Sequence, residues 1–211
     1  MKAVIADGFG EIDGIRQAIF EEPVIGADDV LIKTCASGLN AADLLQRRGL
    51  YPPPPGVSPL LGLEVSGTVE SLGSNALQKG LKVGDRVIAL LAGGGYAEKV
   101  GIRHDQVMKL PDSMDLTKAG GIAEVFLTAF LGLVWLGKLK KGQRLLIHAG
   151  ASGVGTAAIQ IAKSIGAEIW VTASSDKKLN FCKELGAQHL INYKTDDFAK
   201  VIHEQTDGGG V

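Results

Sequence analysis

The first part of the chain alternates short apolar-rich runs with glycine, proline and acidic breaks. The runs at 3–6, 30–36, 64–72, 86–91 and 96–100 are of strand length and favour β structure. Strands at this spacing predict a small β-barrel or sandwich. Beyond Pro111 the pattern changes. Leu145, Leu146, Ile147 and His148 form a short apolar strand that enters the turn Gly150-Ala151-Ser152-Gly153-Val154-Gly155. Val154, Ala158, Ile161 and Ile165 then recur at spacings of 4, 3 and 4, which predicts the buried stripe of a helix stopped by Gly166. Next come a strand at 168–172 and a helix from Asp176 with Leu179, Cys182 and Leu185 on one face. A strand at 189–193 and a helix carrying Phe198, Val201, Ile202 and Gln205 complete the series. This βαβαβα order predicts a parallel sheet covered by helices.

Proline usage suggests where the two patterns part. All seven prolines fall within the first 111 residues, which predicts one domain over 1–115 and another over 116–211. The run Tyr51-Pro52-Pro53-Pro54-Pro55-Gly56 can neither continue a helix nor pair as a central strand, because each proline lacks an N–H and has a fixed φ. It predicts a stiff loop at the surface or lining a cleft. The 211 residues carry 22 Lys and Arg against 23 Asp and Glu, so no basic field is available to hold a nucleic-acid backbone. Only a four-residue apolar stretch precedes Asp7, too short for a secretory core. The longest uncharged stretch, 145–162, is broken by glycine and polar residues, so no membrane span is expected. Cys35 and Cys182 stand far apart and in no metal-binding spacing, which reads as reduced thiols in a cytoplasmic protein without a zinc site.

The turn 150–155 lies between a buried strand and an amphipathic helix, where a dinucleotide fingerprint belongs. Gly150, Gly153 and Gly155 permit a tight turn and let a pyrophosphate approach backbone N–H groups at the positive helix end. Ser152 occupies the middle glycine place of that fingerprint, so the motif is imperfect. About 20 residues on, an NAD-specific site carries an acidic residue that holds the ribose hydroxyl. Here Ala173 is followed by Ser174, Ser175, Asp176, Lys177 and Lys178. Hydroxyls and ammonium groups suit a 2′-phosphate, which favours NADPH over NADH. Solvated lysines at a helix start are the plainer alternative.

A wider resemblance rests on seven segments in order: 39–43 (LNAAD), 51–56 (YPPPPG), 62–67 (GLEVSG), 83–87 (VGDRV), 93–97 (GGGYA), 127–129 (LTA) and 148–155 (HAGASGVG). Together they resemble the quinone oxidoreductase branch of the medium-chain dehydrogenase/reductase superfamily, in particular the p53-inducible type related to zeta-crystallin. The resemblance implies an α/β protein: a GroES-like β-barrel catalytic domain, then a Rossmann NADPH domain, with a cleft between them. It implies that Asn40 and Tyr51 contact the nicotinamide and the acceptor, and that Thr128 contacts the nicotinamide ribose. Gly150, Ser152, Gly153, Val154 and Gly155 are implied at the pyrophosphate, and Ser174, Ser175, Lys178 and Tyr193 at the adenosine phosphate. The zinc-dependent relatives carry Cys and His ligands where this chain has Asn40 and Leu63, so no zinc is expected. No residue is assigned as a general acid, and Glu64 reads as a structural carboxylate.

The implied activity is NADPH-dependent reduction of quinones by hydride transfer, with reduction of alkenals or enones as the alternative. The resemblance is to longer, homodimeric chains whose Rossmann sheet has about six strands, against three here. The expectation is therefore a chain shortened at Val211, with an open edge on its third strand. A non-catalytic binding partner is the corresponding third possibility.

Overall fold

In the computed structural model, which describes every residue but Asp7, Phe9 and Glu11, the chain divides into two units between Glu124 and Val125. In the first unit β1 (Lys2–Ala6) and β2 (Ile15–Ile19) form an antiparallel ribbon. β3 (Asp29–Ala36) leads to α1 (Ala41–Arg47), and β4 (Glu64–Leu72), β5 (Arg86–Leu90), β6 (Lys99–Arg103) and β7 (Val107–Lys109) follow. These strands make an antiparallel sheet in the order β6-β3-β4-β5-β7. Val30, Ile32, Val65, Val69, Val87 and Val100 meet in its core. Leu31 is buried as well, so strict in–out alternation fails in β3, where the register shifts twice against β4. A short helix, α2 (Leu116–Ala119), is capped by the Asp115 carboxylate, which accepts the Lys118 N–H.

The strand expected at 96–100 begins three residues later. Tyr96 donates its N–H to the Leu61 carbonyl and accepts from the Val4 N–H, which commits it to a neighbouring loop and to β1. Pairing with β3 therefore starts only at Lys99.

The division between units falls inside α3 (Ala123–Phe130), which continues as a π-helical turn over Leu131–Leu136. The second unit then alternates β8 (Arg144–Ile147), α4 (Gly153–Ile165), β9 (Glu168–Ala173), α5 (Asp176–Leu185), β10 (His189–Asn192) and α6 (Phe198–Gln205). The three strands are parallel in the order β10-β9-β8, so among the described residues β8 and β10 each pair only with β9. Ile169, Val171 and Ala173 of β9 pack with buried residues of α4 and with Leu179 and Cys182 of α5. On the other face Trp170 meets Ile191 and Ile202, and its ring stacks on His189 at 3.7 Å. Helices thus cover both faces, as the chain pattern predicts. No helix of the described residues is long and apolar enough to cross a membrane.

The buried face of α4 differs from the expected one except at Ala158. Ala157, Ala158, Ile159 and Ala162 are buried, whereas Val154 is 40% exposed and Ile161 and Ile165 are half-buried. Small side chains let the helix axis approach the sheet closely, and that closeness selects the alanine face over the bulkier one. Ala162→Leu should therefore cost about 1–3 kcal/mol through overpacking, while Val154→Ala should stay within about 0.5 kcal/mol. Denaturant melts of the two variants check the assignment, and equal losses would contradict it.

Candidate functional site

The turn after β8 sets the chemistry of the second unit. His148 places Nδ1 3.0 Å from the Thr172 hydroxyl, and Gly150 donates its N–H to the Thr172 carbonyl at 3.0 Å. Ala149 adopts a left-handed φ of 52°, which turns the chain sharply. Ser152 caps α4, its Oγ accepting the Gly155 N–H at 3.1 Å. Gly155 is required here: a Cβ would stand 2.5 Å from the Ala149 carbonyl oxygen and 2.7 Å from that of Gly150. The first turn of α4 therefore starts against the strand turn, and Gly153 and Val154 face outward. Exposed N–H groups at the positive end of a 13-residue helix suit an oxyanion such as a phosphate.

Beside this turn lies an open pocket of 160 Å³ lined by Ala149, Ala151, Ser152, Ala173, Ser174, Lys178 and Tyr193. It sits at the carboxyl ends of the parallel strands, the usual ligand side of such sheets. Four residues singled out in the sequence, Ser152, Ser174, Lys178 and Tyr193, come together there. Lys178 reaches over one helical turn and its Nζ lies 3.2 Å from the Ser174 Oγ. An ammonium, a serine hydroxyl and a phenol around one small space can neutralise and hydrogen-bond a phosphate. Ser175 occupies the N-cap position of α5 next to the pocket, and Thr128 is exposed on α3. Neither lines the pocket.

Asn40 and Tyr51 belong to the first unit, at opposite ends of α1. Asn40 is its N-cap, and its backbone N–H is held by the Asp43 carboxylate at 2.8 Å. Gly62, with φ of 103°, donates to the other Asp43 oxygen at 3.1 Å and accepts from the Gly95 N–H at 2.9 Å. This close pairing delivers Glu64 to Asn40, whose Nδ2 donates to Glu64 Oε1 at 2.8 Å. The second Glu64 oxygen accepts the Glu124 N–H at 3.0 Å. The Tyr96 hydroxyl lies 3.2 Å from the Gly38 carbonyl. Burial, then its hydrogen bond to Asp43, then the Glu64 charge hold that phenol well above its usual range. Burial raises the Glu124 carboxyl, with Glu64 and Asp43 adding to the effect. Tyr51 is 51% exposed at the start of the proline run.

Asp43 and Tyr96 are the residues that sequence reasoning passed over. Asp43 had a readable signal, an Asn-x-x-Asp capping pattern ahead of an apolar pair. Among the described residues no three His, Cys, Asp or Glu side chains gather as a metal site.

Two family models match the chain, "Alcohol dehydrogenase GroES-like domain" over residues 26–112 and "Zinc-binding dehydrogenase" over residues 153–211. A low-reducing polyketide synthase of Aspergillus calidoustus is 38% identical over 207 residues, which is 96% of this chain and 8% of that protein. Among solved structures, the CurK enoyl reductase is 35% identical with a TM-score of 0.90, covering 100% of this chain and 65% of that one. Escherichia coli quinone oxidoreductase complexed with NADPH is 30% identical with a TM-score of 0.88, covering 99% of this chain and 63% of that one. This chain spans less than two thirds of each of these proteins. The first unit is GroES-like and the second is a Rossmann-like parallel sheet, the fold class expected from the sequence.

Two stability measurements test the local geometry. Gly155→Ala should cost about 1–3 kcal/mol, because its Cβ meets backbone carbonyls that cannot yield. Gly153→Ala, which meets only the Val125 side chain, should cost clearly less. For Glu124, a raised pKa in the folded chain means that its favourable contribution is complete below the usual 4.5 and is lost as pH rises through the folded value. Glu124→Gln should thus raise the melting temperature at neutral pH, with the gain shrinking toward pH 4.

Proposed function

The chain belongs to the medium-chain dehydrogenase/reductase superfamily, and from that premise we propose that it is an NADPH-dependent oxidoreductase that reduces quinones by hydride transfer without a metal. The observation that carries this reading is the convergence of Lys178, Ser174 and Tyr193 on one pocket beside the start of α4. The residues fit the cofactor on their own chemistry: an outward-facing helix start that only glycine at 155 allows, and a phosphate-sized space next to it with one cation and no carboxylate among its walls.

In this reading Gly153 and Val154 donate backbone N–H groups to the pyrophosphate, while Gly150, Ser152 and Gly155 shape the turn that presents them. Lys178, Ser174 and Tyr193 surround the 2′-phosphate, with Ser175 at its margin. Thr128 contacts the nicotinamide ribose, and Asn40 and Tyr51 contact the nicotinamide end and the acceptor. When bound, NADPH supplies the hydride. The chain's own residues bind, orient and exclude water, which favours an electron-poor acceptor that needs no Lewis acid. Asn40 and Leu63 stand where zinc-dependent relatives place ligands. Free thiols at Cys35 and Cys182 suit a reducing, cytoplasmic setting.

A second reading is reduction of an activated alkene. It is favoured by the 35% identity to the CurK enoyl reductase and the 38% identity to a low-reducing polyketide synthase. It uses the same cofactor residues and differs only in the acceptor.

Fluorescence titration should give tighter binding of NADPH than NADH, and Lys178→Ala should cut that preference about tenfold by removing a charge-assisted contact. A preference left unchanged by the variant would contradict the pocket assignment. In an acceptor panel, NADPH oxidation with quinones supports the first reading, and oxidation with enones or enoyl thioesters alone supports the second.

A further inference from the structure

We propose that the pocket of Ser174, Lys178 and Tyr193 recognises a phosphate on the adenosine ribose whether it sits on the 2′ or the 3′ oxygen, so that adenosine 3′-phosphate 5′-diphosphates, coenzyme A among them, compete with NADPH for this chain. The inference rests on the cofactor reading above and goes beyond it, adding a second class of ligand and with it a route to inhibition.

Telling a 2′-phosphate from a 3′-phosphate takes two chemically different partners, one that serves only the phosphate and one that serves only the free hydroxyl beside it. The pocket supplies the first alone. The Lys178 ammonium donates and cannot accept, so it goes to the phosphate. A carboxylate, which only accepts, would claim the remaining hydroxyl and set the ribose in one sense, yet none of the seven lining residues is acidic. Ser174 and Tyr193 offer hydroxyls that both donate and accept, so each can serve a phosphate oxygen or a ribose hydroxyl. Exchanging the phosphate and the hydroxyl between the two ribose positions therefore leaves every polar group of the pocket with a partner.

The walls do not impose the choice sterically either. An arginine fork would fix the direction of approach, whereas a lysine is a point charge on a flexible stem. Lys178 is exposed, and its Nζ bonds to Ser174 Oγ at 3.2 Å, four residues away, which leaves it able to follow a phosphate displaced by one ribose carbon. Tyr193 is 52% exposed, and Ala149, Ala151 and Ala173 bring only methyl groups to the pocket. Its 160 Å³ is several times the roughly 30 Å³ share of one water in the liquid. Both ligand classes carry a 5′-pyrophosphate, which the start of α4 suits equally. They differ beyond it, where coenzyme A brings no nicotinamide and so blocks hydride transfer.

Calorimetric titration of the chain with 2′,5′-ADP, 3′,5′-ADP and 5′-AMP isolates the ribose phosphate. The expected affinity for 3′,5′-ADP lies within about threefold of that for 2′,5′-ADP, and both bind at least about tenfold more tightly than 5′-AMP. In competition against NADPH, followed by nicotinamide fluorescence, coenzyme A should displace the cofactor about tenfold more effectively than dephospho-coenzyme A, which lacks only the 3′-phosphate. Lys178→Ala should abolish that advantage, with melting temperatures recorded alongside to show that the variant is folded. If 3′,5′-ADP binds no more tightly than 5′-AMP while 2′,5′-ADP keeps its margin, this inference is overturned and the NADPH reading stands. A coenzyme A advantage that survives Lys178→Ala also overturns it, because the 3′-phosphate is then held outside the pocket. If 2′,5′-ADP itself binds no more tightly than 5′-AMP, the functional reading falls as well.

Discussion

The second unit depends on one close approach. α4 begins where the Gly155 backbone touches the carbonyl groups of Ala149 and Gly150, and no side chain fits between them. This contact brings the positive end of the helix to the strand turn. It also seats the face of α4 that carries Ala157, Ala158, Ile159 and Ala162 in the core with β9. The same turn walls one side of the pocket that Ser174, Lys178 and Tyr193 close on the other. Packing and chemistry are thus consequences of a single steric constraint.

The first unit is organised by a different interaction, buried carboxylates that accept from main-chain donors. Asp43 joins the start of α1 to the Gly62 loop, and Glu64 joins Asn40 to Glu124. Burying these acids carries an electrostatic cost, and their presence adds to the upward shifts that burial gives Tyr96 and Glu124. The cost is offset by hydrogen bonds that leave each bonded oxygen in one arrangement. What this secures is orientation: the Asn40 side chain is held by a group that cannot itself move.

Much of the second unit was legible in the sequence because its signals are local. The order of strands and helices follows from periodicity, and Ser174 and Lys178 follow from their distance from the glycine turn, whereas Tyr193 was implied only by the family resemblance. The stripe of α4 was misread because 4-3-4 spacing identifies a helix but cannot weigh residue size against the distance to the sheet. In the first unit the signals were weaker. β7 has three residues, and β2 carries a largely exposed face, so neither stands out as a strand. α1 is seven residues long and is specified by its cap more than by its stripe. The displacement of β6 arises from long-range pairing of Tyr96, which no local pattern encodes. The same holds for Glu64, whose role depends on a partner 24 residues away.

The central claim is that the pocket at the carboxyl ends of β8, β9 and β10 reads a ribose 2′-phosphate. Calorimetric titration with 2′,5′-ADP and with 5′-AMP tests it most directly, since the two ligands differ only in that group. The account predicts at least about tenfold tighter binding of 2′,5′-ADP, a margin that narrows as salt screens Lys178. Equal affinity for the two ligands would contradict it.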